Sequence, residues 1–112
     1  MNREIAFEVY QYAYADKAIN KKFVELIRYM KNNHIVLECG QIAISGRAFM
    51  DLKVGNILIS EKGTKIYLKG FHTYGQEMDF MPAGMTCVII IDMSDEELCS
   101  GERLYFTNQN TK

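Results

Sequence analysis

The sequence predicts an α+β protein in one domain. An N-terminal amphipathic helical segment (1–33) precedes a small closed antiparallel β-barrel of six or seven strands (34–107), and a polar, frayed tail (108–112) follows. Three observations predict this. An apolar stripe of helical period runs through the first third of the chain. Near His34 that period gives way to alternation and short apolar runs. From there on, short strands are closely spaced with a turn signal between each pair, the pattern of a barrel rather than of alternating strands and helices.

In the helical segment, Ile19, Phe23, Leu26, Ile27 and Met30 share one face, and Lys21, Lys22, Glu25, Arg28 and Lys31 cover the other. Asp16 is the expected N-cap, and Asn32-Asn33 the expected stop. Ile5, Val9 and Tyr12 extend the stripe backwards, so Glu4 to Ala15 is read as helix. The same stretch also alternates at Ile5, Phe7 and Val9 and is rich in strand-forming residues, which leaves a strand open.

The strands follow in order. Ile35 to Cys39 is a short apolar run broken by Gly40, and Ile42, Ile44 and then Ala48 or Phe49 continue it across Gly46. A glycine inside a strand marks a bulge or a close backbone approach. Asp51 to Gly55 is a turn and strand entry. Asn56 to Ser60 alternates, Glu61-Lys62-Gly63-Thr64 turns, and Lys65 to Lys69 returns. Gly70 to Phe80 reads as a strand end, a turn and a second short strand, and Met81 to Gly84 as a tight connection. Met85 to Ile91 is nearly continuous in apolar residues, which requires burial on both faces. Ser94-Asp95-Glu96-Glu97 is a capping-box pattern opening one helical turn, Gly101 ends it, and Glu102 to Thr107 closes the barrel.

Composition bounds the function. The 112 residues carry a net charge of −1, so no global field draws nucleic acid, although a local basic face is allowed. No apolar run is long enough to span a bilayer, and no signal-peptide core follows the N-terminus, so a cytoplasmic protein without a membrane partner is expected. The three cysteines (Cys39, Cys87, Cys99) lack paired spacing, which argues against a disulfide framework; Cys39 and Cys87 are expected to be small core residues.

Gly46-Arg47, then Lys53-Val54-Gly55, Gly70-Phe71, Ala83-Gly84 before Val88 to Ile91, and finally the acidic turn with Gly101-Glu102-Arg103-Leu104 form an ordered set. Together they resemble domain 2 of the elongation factor Tu type of translational GTPase, over about residues 35–107. The resemblance implies a small β-barrel of the kind many ribosome-binding factors contain. No Gly-x-x-x-x-Gly-Lys-Ser/Thr segment is present, so no nucleotide is expected as ligand. Where tRNA-binding members carry an acidic residue after the Gly-apolar pair, this chain has His72. Where they carry an arginine, it has Gly40 and Gln41. The N-terminal segment has no counterpart in that domain.

For chemistry, a Cys–His pair such as His72 with Cys87 could in principle make a nucleophile or half a metal site, and no spacing supports it. Asp92, Asp95, Glu96 and Glu97 read as solvated acids, Met78, Met81, Met85 and Met93 as packing residues. No catalytic residue, metal or cofactor is expected. The candidate binding residues are Arg47, Lys65, Tyr67, Lys69, His72 and Tyr74, in which cations take phosphates and aromatic rings stack on bases. Tyr10 and Tyr12 are candidates for a protein contact or a homodimer seam through the N-terminal segment. The leading expectation is a non-catalytic protein contacting translation machinery or structured RNA. The alternatives are a protein-interaction module of the immunity, antitoxin or regulatory kind, and an enzyme with a site at the barrel edge.

Overall fold

The computed structural model describes residues 4–15, 23–92 and 98–107. Its core is a barrel in which every strand pairing is antiparallel. In chain order the elements are β1 (Ile5–Tyr14), α1 (Val24–Asn32), β2 (Gln41–Ala48), β3 (Leu52–Lys53), β4 (Ile57–Ile59), β5 (Lys65–Thr73), β6 (Gln76–Met78), β7 (Phe80–Met81), β8 (Thr86–Asp92) and β9 (Arg103–Phe106). The sheet runs β4-β9-β1-β2-β8-β5, and β4 also pairs with β5, which closes a ring of six strands. β6 lies outside the ring as a short extension of β5. β3 and β7 form a separate ribbon whose Leu52 and Met81 are buried in the same core.

The N-terminal stretch corrects the sequence reading: Ile5 to Tyr14 is a strand, not a helix, and it sits between β2 and β9. Phe7 and Val9 point inward on one alternation. The register to β2 then slips between Val9 and Gln11, and Tyr12 and Tyr14 point inward on the other. That bulge adds one residue between two period-2 runs, so Val9 and Tyr12 stand three apart and imitate a helical stripe. The barrel therefore begins at Ile5, not near His34.

Gly46, on β2, faces Phe7 and Val9. A Cβ there would collide with the Glu8 carbonyl oxygen and stand 2.6 Å from the Phe7 ring, so this glycine is what lets β1 and β2 pair at the bulge. β8 is buried on both faces, as its composition requires. Cys87, Ile89 and Ile91 enter the barrel with Phe7, Ile44, Leu58, Ile66, Phe71 and Leu104. Val88, on the outer face, joins Ala13, Ala43 and Leu26 in a second cluster beneath α1.

α1 keeps the expected stripe. Leu26 is buried, and Phe23, Ile27 and Met30 are half-buried against the barrel. Asn33 ends it, and His34 follows at φ 57° with its N–H donating to the Lys31 carbonyl. The β4–β5 turn forms at Glu61 to Thr64 as predicted, with the Ser60 N–H donating to the Thr64 carbonyl. Two readings fail between α1 and β2. Ile35 to Cys39 is not a strand, Val36 is 85% exposed, and Cys39 is exposed rather than core. The expected cap at Asp16, Ile19 of the stripe, Met93, the turn opened by Ser94 to Glu97, and the tail 108–112 lie outside the described residues.

Candidate functional site

β5 alternates cleanly at its start. Ile66 and Leu68 enter the barrel, while Lys65, Tyr67 and Lys69 stand exposed on its outer face. Cross-strand register extends this face. Tyr67 is opposite Ile57 on β4 and opposite Asp92 on β8, and Asp92 is opposite Gln41 on β2. Gln41, Asp92, Tyr67 and Ile57 thus form one transverse row outside the barrel. Lys69 Nζ lies 3.5 Å from Asp92 Oδ2, with both side chains about half exposed. At such a pair water screens most of the attraction, so it orients the carboxylate more than it stabilises the fold.

A groove of about 530 Å³ runs along this row. The Glu38 to Gln41 turn walls one side, and Thr64, Lys65, Tyr67 and Asp92 complete it. The Glu38 N–H donates to Gln41 Oε1 at 3.0 Å, which fixes the Gln41 amide at the groove wall.

The other candidates lie elsewhere. His72 and Tyr74 stand near the far end of β5. The Tyr29 hydroxyl, from α1, accepts from the Gly75 N–H at 3.2 Å and shares a 3.0 Å hydrogen bond with His72 Nδ1. This clasp ties the helix to the β5–β6 hairpin. The hairpin turns through Tyr74 and Gly75, both at positive φ, the two-residue turn whose twist matches paired strands. Tyrosine is strained there, and its side chain is 86% exposed. Arg47 is exposed on β2 opposite Glu8 and Thr86, at the end of the strand remote from Gln41. Tyr10 is exposed at the β1 bulge. Tyr12 is only 7% exposed and packs edge-on against Tyr14 and Phe23, so it is a core residue and leaves the candidate set.

His72 and Cys87 do not form a pair. His72 faces outward opposite Val88, whereas Cys87 faces into the barrel, where burial pushes its thiol up to about 12. A thiol held protonated in this way is a poor nucleophile. No group of three or more His, Cys, Asp or Glu side chains that could hold a metal ion is found among the described residues. Among them, too, no helix is long and apolar enough to cross a membrane.

Sequence reasoning therefore placed Lys65, Tyr67 and Lys69 together correctly, because strand alternation alone does so. It missed Gln41 and read Asp92 as part of a solvated acidic cluster. Only the register of three strands distant in sequence brings these two beside Tyr67. No family model, curated protein or solved structure matches the chain.

Proposed function

We propose that this protein is a non-catalytic binding module that takes RNA, including RNA of the translation machinery, on the outer face of β5. The observation that supports it is the exposed alternation Lys65, Tyr67, Lys69, an aromatic ring between two cations. Aromatic rings stack on unpaired bases, and cations placed on either side can take the flanking phosphates. The likeness of Gly46-Arg47, Lys53 to Gly55 and Ala83-Gly84 to elongation factor Tu-type second domains points in the same direction.

The test is fluorescence anisotropy of a labelled RNA stem-loop with an unpaired loop, titrated at several salt concentrations. With Lys69 paired to Asp92, one phosphate contact at Lys65 gives a log–log salt slope of about −0.7, and Lys65→Ala brings it close to zero. Absence of binding at low salt, or an affinity indifferent to salt and to Lys65→Ala, overturns the reading.

A protein-interaction module is the second reading, and Tyr74 favours it. An almost fully exposed aromatic ring held on a strained turn is a natural anchor for a protein partner. Such binding would be lost on Tyr74→Ala and kept on Lys65→Ala.

A further inference from the structure

The groove beside Tyr67 contains a pattern more specific than an aromatic ring among cations. Gln41, Asp92 and Tyr67 stand side by side on three neighbouring strands, at one level of the barrel and on its outer face. Neighbouring strands are about 4.8 Å apart, so the row spans roughly 10 Å, the scale of one nucleotide. All three side chains line the same groove, with Lys65 at its margin.

Each member offers different chemistry. Tyr67, 43% exposed, presents a ring for stacking. The Asp92 carboxylate is an acceptor on both oxygens, and the ion pair with Lys69 holds it in place and offsets its repulsion of a phosphate. The Gln41 amide accepts the Glu38 N–H through Oε1, which leaves its Nε2 to donate to a ligand. An aromatic face, a two-oxygen acceptor and an adjacent amide donor are the complement of one base. Guanine alone carries two adjacent donors, N1–H and the N2 amine, on its pairing edge, with the O6 acceptor beside them. Adenine, cytosine and uracil each place an acceptor where the carboxylate requires a donor.

Resting on the RNA reading above, we propose that the Gln41–Asp92–Tyr67 row is a guanine-selective subsite for one unpaired nucleotide. Tyr67 stacks on the base, Asp92 accepts from N1–H and the N2 amine, Gln41 donates to O6, and Lys65 takes the phosphate.

The experiment is anisotropy with labelled uridine octamers bearing one central guanosine, inosine, adenosine or cytidine. The guanosine octamer binds about tenfold more tightly than the adenosine or cytidine octamer, the discrimination of one two-bond contact to a base. Inosine, which lacks the N2 amine, falls between. Asp92→Asn and Gln41→Ala each bring the four octamers within about twofold of one another. Equal affinity of all four for the unaltered protein overturns the guanine subsite and leaves the RNA reading standing. A guanosine preference that survives both substitutions overturns the assignment to this row. If no octamer binds, the RNA reading fails and the subsite with it.

Discussion

The two outer faces of the barrel are made of different residues. Where α1 lies over β1, β2 and β8, the outward side chains are Ala13, Ala43 and Val88. Around β8, β5 and β4 they are Asp92, Tyr67, Lys65, Ile57 and Ile59. Small outward side chains let a helix approach a sheet closely, and two alanines and a valine leave room for Leu26 to seat. The other face carries larger side chains and a groove, and among the described residues no helix lies over it. The small outward residues of one face match the helix that covers it, and on the reading proposed above the large outward residues of the other meet a ligand.

The comparison breaks most visibly at Ala43. It is fully buried and clusters with Ala13, Leu26 and Val88 beneath the helix. Ala43→Asp places a carboxylate there, and an uncompensated buried charge costs about 3–5 kcal/mol. Chemical denaturation should show that loss, and near-ultraviolet circular dichroism should show the tyrosine signals around α1 collapsing first. A variant as stable as the parent would mean that α1 does not cover this face.

Tyr29→Phe has a smaller effect and asks whether the clasp is part of the covered face. The substitution keeps the ring and deletes the hydroxyl that serves both His72 Nδ1 and the Gly75 N–H. Both partners can reach water, so the cost is about 1 kcal/mol. Amide exchange should locate that loss in the β5–β6 hairpin, with β1 and β2 unchanged.

Several features agree because the information for them is local. The β4–β5 turn, the two-sided burial of β8, the stripe from Phe23 to Met30 and the outward trio on β5 all follow from alternation, period and turn chemistry over a few residues. The close approach at Gly46 was also legible, because a glycine in a strand has few other uses. β1 was not, since its bulge produces a three-residue step that helices share. Tyr12 was named as a contact candidate for its aromatic ring, although the stripe it shares with Val9 already set it among apolar residues, and the structure buries both. Cys39 and Val36 were misread because an apolar run looks like a strand whether or not it finds a pairing partner. Gln41 and Asp92 were illegible as site residues, because cross-strand register is a property of the closed barrel and of no single segment.

Tyr67→Ala should have the smallest effect on stability and draws the sharpest line between the faces. The ring lies on the outer face and contributes no side chain to the buried core clusters. Its loss should shift the denaturation midpoint by an amount equivalent to 0.5 kcal/mol or less, as surface substitutions do. Stacking on a base, in contrast, is worth about 1–3 kcal/mol, so the same variant should lose about tenfold or more in affinity for an unpaired RNA loop. Leu26→Ala on the covered face should do the reverse, destabilising by about 2–4 kcal/mol while leaving RNA affinity of the folded protein intact. The two variants measured side by side, by denaturation and by anisotropy, separate a face made for folding from one made for binding. If Tyr67→Ala lowers stability as much as Leu26→Ala does, the ring is a packing residue, and the β5 face loses its claim to a ligand.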